Sequence, residues 1–358
     1  MSDSGRWALG LMSGTSMDGI DAALLRCDGH RVFEFGPHGT YPYPAAFRTR
    51  LKSCLGGQGP IEAVERELTD HHAQAVDDLL KQAGRGPRDV DVIGFHGHTI
   101  LHEPEQGKTW QIGDGLRLAE RSGIDVVYDF RSHDVAAGGE GAPFAPLFHA
   151  ALAADLEKPI AVLNIGGVAN VTVIAGSDIL AFDTGPGNAL IDDWMERGTG
   201  TPIDRGGKIA QQGRVDRGAL NQLLADEYFG RPVPKSLDRD HFSAAPVDGL
   251  SLTDGAATLT AFTAASVALA ADALPHRPKQ WLVTGGGRHN PAIMAALQNH
   301  LGVKPEPVEA AGWNGDALEA QAFAYLAVRS QAGLPLSLPG TTGVAQPTCG
   351  GRLCRAAA

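Results

Sequence analysis

The residues with the most chemistry in them stand in one short turn, Ser13-Gly14-Thr15-Ser16-Met17-Asp18-Gly19, between the apolar runs Ala8-Leu9-Gly10-Leu11-Met12 and Ile20-Asp21-Ala22-Ala23-Leu24-Leu25. That arrangement predicts a β-hairpin whose tip offers backbone N–H groups and hydroxyls to an oxyanion, phosphate above all. No Gly-Lys-Ser/Thr follows it and no helix begins directly after it, so it is not a Walker loop, and it lacks the Gly-x-Gly-x-x-Gly of a dinucleotide fold. Alone, such a turn reads as an ordinary hairpin connection. The chain repeats the design, however: an apolar run at 160–164, the turn Ile165-Gly166-Gly167-Val168-Ala169-Asn170, and a second apolar run at 171–174. Two hairpins of this kind point to a duplicated architecture with a phosphate loop in each half.

Further polar groups follow predicted strands, where functional residues of open α/β sheets gather. The run at 179–182 delivers Asp183-Thr184-Gly185-Pro186-Gly187-Asn188 at a strand's end. Gly285-Gly286-Gly287 lies between a strand at 281–284 and a helix at 292–301, and three glycines there let a flat ligand lie against the backbone. The strand at 90–95 runs into the tip His96-Gly97-His98-Thr99, and the strand at 124–128 exits into Asp129, Arg131, His133 and Asp134 and then Gly138-Gly139-Glu140-Gly141. His96, His98 and His102 suggest zinc by proximity, but no cysteine or further spaced ligand supports it; they read as one substrate contact and two loop residues.

The elements that must position these groups are legible as periodicity. Apolar residues at Ile61, Val64, Leu68, Ala75, Val76, Leu79 and Leu80 predict an amphipathic helix over 61–81, stopped by Gly84. Residues 32–35 read as a strand, 41–44 as an extended connection, and 143–157 as helical in its second half. Helices are also predicted up to Ser122, from Asn188 through Trp194, and over 216–229, 256–274 and 316–330. The chain has 358 residues, 43% of them apolar, with 46 glycines and 22 prolines, which suits a globular α/β protein with many tight turns. A formal charge of −11 and no basic cluster disfavour nucleic acid or an anionic membrane as partner. The N-terminal stretch reads as neither signal peptide nor membrane span, so a cytoplasmic protein is expected. Cys27, Cys54, Cys349 and Cys354 are spaced poorly for zinc and are expected as free thiols.

Four stretches carry a resemblance: residues 10–21 around the first turn, Asn164-Ile165-Gly166-Gly167-Val168-Ala169-Asn170, Phe182-Asp183-Thr184-Gly185-Pro186-Gly187-Asn188, and Thr284-Gly285-Gly286-Gly287-Arg288-His289-Asn290. Their order, with two connecting helices, resembles the actin-like ATPase superfamily of sugar kinases, actin and heat-shock chaperones. Their wording is narrower and is similar to the anhydro-N-acetylmuramic acid kinase family over nearly the whole chain.

The resemblance implies two actin-like (ribonuclease H-like) α/β lobes with an interdomain nucleotide and sugar cleft. Residues 1–130 and 317–358 would form the first lobe and 131–316 the second. It implies ATP with Mg2+ as co-substrate, and an unusual acceptor. In 1,6-anhydro-N-acetylmuramic acid O6 is tied to C1, so water must attack C1 as O6 takes the γ-phosphoryl group. Asp183 would accept the water's proton. The turn from Ser13 to Gly19, with Gly166 and Gly167, would hold the phosphates, and Gly285, Gly286 and Gly287 the adenosine. Arg131 would bind the lactyl carboxylate with two prongs, His98 and Thr99 the sugar or its acetamido group, and Glu319 would be a second carboxylate in the sugar site. In most of the superfamily an aspartate precedes the first glycine by two residues and helps hold magnesium. Met12 stands there instead, so Asp18 is the first choice for the metal, with Asp21 and Asp183 behind it. A homodimer and a place in peptidoglycan recycling are implied too. Two rival readings remain: a kinase of another amino sugar, which would not need Asp183, and a non-catalytic actin-like scaffold, against which Asp183 and Arg131 argue.

Overall fold

A computed structural model of the chain describes residues 5–14 and 16–357. It divides into two compact units, Met1–Ala154 with Asp316–Ala358, and Asp155–Gly315. The first is built on β1 (Arg6–Ser13), β2 (Gly19–Cys27), β3 (Val32–Pro42), β4 (Val92–Glu103), β5 (Lys108–Ile112) and β6 (Val126–Tyr128). The apolar runs beside the first polar turn become β1 and β2, paired antiparallel from Arg6 with Cys27 to Met12 with Asp21. β4 lies parallel to β1, and β6 parallel to β4. Leu9, Leu11, Ile93 and Phe95 are buried, as central strands covered on both faces require. Helix Ile61–Ala83 buries Val64, Leu68, Val76 and Leu79 in the same core, each contributing about 1.5–3 kcal/mol. Gly84, at φ 62°, closes it with a left-handed cap.

The second unit carries β7 (Ile160–Ile165), β8 (Val168–Ala175), β9 (Asp178–Pro186), β10 (Gln280–Thr284) and β11 (Glu306–Pro307). β7, β8 and β9 form an antiparallel meander, and β10 and β11 continue parallel on the other side of β7. Helix Leu252–Asp272 is long and apolar enough to cross a membrane, yet it is largely buried inside this unit, with Leu259, Phe262 and Val267 in the core.

The chain then returns to the first unit through helix Leu318–Gln331 and β12 (Arg352–Cys354), which pairs with β6. That helix lies directly on β1 and β4: a Cβ on Gly10 would sit 1.7 Å from Ala320 O, and one on Gly94 2.0 Å from Phe323 O. Only glycine permits so close an approach. The first sheet runs β12-β6-β4-β1-β2-β3 with β5 on β4, and the second β11-β10-β7-β8-β9. In both, a three-strand meander is extended by parallel strands beside its first member. Each unit is therefore an actin-like (ribonuclease H-like) lobe, the fold class read from the sequence.

Several local readings are corrected. Residues 32–35 and 41–44 belong largely to one strand, β3, which pairs along β2 across a register shift; Pro37 is tolerated because β3 is an edge. β4 does not stop at Phe95 but continues to Glu103 in a hairpin with β5, and Gly97, at φ 72°, absorbs the irregularity. His96, His98 and His102 are thus strand residues, not loop residues. β9 likewise runs on to Pro186, so Asp183 sits within a strand rather than at its end. The helix expected within 143–157 is confined to Pro146–Leu152, and that over 216–229 to Arg217–Leu224 followed by a short turn. The unit boundary lies after Ala154, not after residue 130. Arg131 bonds to His96, Glu140 N–H to Thr342 O, and Phe148 packs on Tyr325, which ties this stretch to the first unit.

Candidate active site

In the first unit the β1–β2 turn is closed by Met17 N–H donating to Gly14 O at 3.0 Å. Ser16 Oγ donates to the exposed Asp18 carboxylate at 2.6 Å. Thr15 lies outside the described residues. Ser13, expected to turn its hydroxyl to phosphate, is 2% exposed and points into the fold. Its Oγ accepts from Tyr43 OH at 2.9 Å and lies 3.0 Å from His98 Nδ1. Ser13 Oγ, with one proton and two lone pairs, thus ties Tyr43 and His98 Nδ1 together. Burial pushes His98 down to about 4, which keeps it neutral at pH 7. His98 is thus anchored to the hairpin through Nδ1, while its buried Nε2 makes no hydrogen bond. Thr99, half-buried, accepts from Gln111 Nε2 at 3.3 Å.

Acidic groups gather beside this turn. Asp21 accepts from Thr40 Oγ1 at 2.6 Å; burial raises its pKa most, the Thr40 bond opposes, and the charges of Asp18 and Asp316 raise it further. Glu319, on the first turn of helix Leu318–Gln331, is open to water yet has protein on many sides. That surrounding protein raises its pKa first, then the charge of Asp21, while Arg131 opposes. Mutual repulsion among Asp18, Asp21, Asp316 and Glu319 is the electrostatic setting a divalent cation relieves. Among the described residues no three acidic, His or Cys side chains converge on one metal position. The three histidines of β4 have separate partners: His98 the Ser13 hydroxyl, His96 the Arg131 guanidinium, and His102 the Thr109 hydroxyl at 3.0 Å. That geometry argues against a zinc cluster.

Arg131 follows β6 and is half-buried. Loss of water around it pulls its pKa to about 10, with Glu319 and Asp134 acting the other way, so it remains a cation at neutral pH. Arg131, His96, Glu319 and Asp21 thus form one electrostatic group in the first unit.

The second unit builds its site almost entirely from backbone. The turn between β7 and β8 is Gly166-Gly167, and its carbonyls accept from the N–H groups of Gly187, Asn188 and Ala189 at 2.9, 2.7 and 3.2 Å. Ala189, the first residue of helix Ala189–Thr199, is thereby tied to the turn. A Cβ on Gly187 would lie 2.2 Å from Gly166 O, so this contact demands glycine. Gly285, at φ 74°, and Gly287 lie against the end of β7, where a Cβ would come within 2.4 Å of Asn164 Oδ1 or of Ile165 Cγ2. The expected adenosine loop and second phosphate turn are therefore neighbours. Arg288 secures that loop, donating from Nη1 to Gly285 O and from Nε to Glu309, both at 3.0 Å.

Asp183 pairs with Asn170 across β8 and β9, close to the same turn. Its N–H donates to Lys235 O at 3.0 Å, its carbonyl accepts from Tyr228 OH, and its Oδ2 accepts from Leu237 N–H at 2.8 Å. Lys235 Nζ donates to Tyr228 O at 2.9 Å and lies 4.3 Å from the Tyr228 ring centre. The Leu237 amide fixes the direction of the Asp183 carboxylate oxygen. Sequence reasoning missed Tyr228, Lys235 and Leu237, and it named His96 and Tyr43 without the partners the structure gives them. Leu237 contributes only a main-chain amide, which leaves no side-chain signal.

Comparison with known proteins agrees with this geometry. The family model described as anhydro-N-acetylmuramic acid kinase matches residues 6–355. A protein of that name from Paramagnetospirillum magneticum is 59% identical over 96% of this chain and 98% of its own length. Proteins of the same name from Rhodospirillum rubrum and Acidiphilium cryptum are 58% and 54% identical, over 98% and 97% of this chain and 94% and 98% of their own. With the four motifs placed on two actin-like lobes and matched along almost its entire length, the chain belongs to the anhydro-N-acetylmuramic acid kinase family.

Proposed function

We propose that this kinase opens the 1,6-anhydro ring of 1,6-anhydro-N-acetylmuramic acid with water and phosphorylates O6, yielding N-acetylmuramic acid 6-phosphate and ADP. The observation that carries the reading is the carboxylate of Asp183, aimed by the Leu237 N–H beside a glycine-walled turn. Such a base accepts one proton of the attacking water as its oxygen bonds to C1. The C1–O6 bond breaks, and its electron pair goes to O6, which attacks the γ-phosphorus while the bond to the ADP oxygen breaks. The proton leaves Asp183 to solvent. Capture of O6 by phosphorus replaces the general acid that an inverting glycosidase needs.

The remaining roles follow the same reading. The N–H groups of the two turns hold phosphates, and Gly285, Gly286 and Gly287 lie along the adenosine. Arg131 takes the lactyl carboxylate, and His98, Thr99 and Glu319 hydrogen-bond the sugar. Asp18, backed by Asp21, would hold magnesium with its waters, which neutralises phosphate charge during transfer. The reading carries with it a cytoplasmic homodimer that serves peptidoglycan recycling; light scattering on the purified chain tests the dimer.

The test is a product analysis with ATP, magnesium and either the anhydro sugar or open-ring N-acetylmuramic acid. ADP and a sugar phosphate formed only with the anhydro sugar support the reading. A preference for the open sugar would make this a different amino-sugar kinase, and ADP without any sugar phosphate a plain ATPase.

A further inference from the structure

Arg131 is held in a way its neighbours in the acidic group are not. His96, 4% exposed, stands on β4 with its ring 4.6 Å from that of Phe323, inclined at 47°. Its Nδ1 lies 2.9 Å from Gly97 O, and its Nε2 faces two nitrogens of Arg131, Nε at 3.1 Å and Nη2 at 3.0 Å. A guanidinium only donates, so Nε2 must be the acceptor and Nδ1 must carry the proton. Nη1 donates to Gly141 O at 2.6 Å. That carbonyl is fixed in turn: Gly141 N–H donates to the buried Asp134 at 2.7 Å, and the other Asp134 oxygen accepts from Thr342 at 2.6 Å.

Both hydrogen-bond partners of Arg131 are uncharged, a neutral imidazole and a peptide carbonyl. They fix the plane of the guanidinium without neutralising it. Of its five N–H groups three are committed, which leaves one on each terminal nitrogen. Two such donors side by side match the two oxygens of a carboxylate. A carboxylate in the place of His96 would have spent the charge internally.

We propose that His96 is a positioning residue: it presets the plane of Arg131 to bind the carboxylate of the sugar acid, and so sets the preference for that acid over the same anhydro sugar without its lactyl ether. This rests on the assignment of Arg131 to the lactyl carboxylate made above. The preference is read as the ratio of kcat/KM for 1,6-anhydro-N-acetylmuramic acid to that for 1,6-anhydro-N-acetylglucosamine, in the full-length chain.

His96→Leu is expected to raise KM for the acid about tenfold to a hundredfold, with kcat, KM for ATP and the kinetics of the neutral sugar within about twofold. His96→Gln, whose amide oxygen can accept the same N–H groups, restores most of the ratio. Arg131→Leu separates the two claims. If it leaves the ratio unchanged, the assignment of Arg131 fails. If it collapses the ratio while His96→Leu does not, His96 has no such role. Should His96→Leu fail to fold by circular dichroism, Gln and Asn at this position decide: Gln keeps the ratio and the shorter Asn loses it, and equal ratios overturn the proposal.

Discussion

In the first unit side chains hold side chains: Tyr43 and His98 hold Ser13, Thr40 holds Asp21, and His96 holds Arg131. In the second, main chain holds the candidate site: Leu237 N–H aims Asp183, the Gly166 and Gly167 carbonyls accept from Gly187, Asn188 and Ala189, and glycines let the 285–287 loop lie on β7. One sheet path thus supports two kinds of precision. The first kind depends on burying neutral imidazoles and is exposed to protons. The second depends on the absence of Cβ atoms and is exposed to methyl groups.

The largest expected effect falls on Asp183, the base proposed above. Asp183→Asn keeps an oxygen for Leu237 N–H but removes the base, so kcat should fall about a hundredfold to ten-thousandfold while the thermal midpoint barely moves. A loss of folding instead would make Asp183 a structural residue.

Acid should separate the units next. Burial lowers His72 and His149 to about 3, and His98 and His102 to about 4, and all four belong to the first unit. The unfolded chain protonates them near pH 6.5 and so binds more protons than the folded chain between there and the folded values. Stability is therefore full above pH 6.5 and falls as the pH drops, by up to about 1.4 kcal/mol per pH unit for each histidine. Hydrogen exchange at pH 7 and pH 5 should show protection lost first in the first unit; uniform loss would erase the contrast.

Methyl groups should do the opposite. Gly187→Ala drives a Cβ into Gly166 O at 2.2 Å and Gly167 O at 3.0 Å, whereas Gly14→Ala meets only Ser16 Oγ at 3.8 Å. Denaturant titration should show a loss of about 3 kcal/mol for the first and little for the second. Smaller still, Ser13→Ala leaves the buried Tyr43 and His98 without their partner and should cost about 1–3 kcal/mol. Tyr43→Phe combined with it should be less than additive, since both act on one bond.

The glycine-based candidate site of the second unit was largely legible in the sequence, and the side-chain cluster of the first was legible only as a set of names. Gly166-Gly167 and Gly285-Gly286-Gly287 announce close backbone approach by themselves, and the apolar runs beside both turns fix the hairpins. His98 and Arg131 were visible as polar groups beside strands, but their partners, Ser13 and His96, come from distant strands. Pairing across a sheet depends on register, and the register of β4 is set by Gly97 and its hairpin with β5, which read as a strand end. The apolar run at 179–182 stops just before Asp183, but the strand does not: Gly185 and Pro186 belong to it. They remain in the strand as its last residues, against helix Leu252–Asp272, where Ser266 approaches Gly185.

The central claim is that water and ATP act on the two ends of one C1–O6 bond, with Asp183 as base. Turnover of the anhydro sugar in oxygen-18 water, followed by mass spectrometry of the products, tests it most directly. The account predicts a sugar phosphate carrying one label at C1, and its loss in Asp183→Asn. Label in inorganic phosphate with the anhydro ring intact would contradict it.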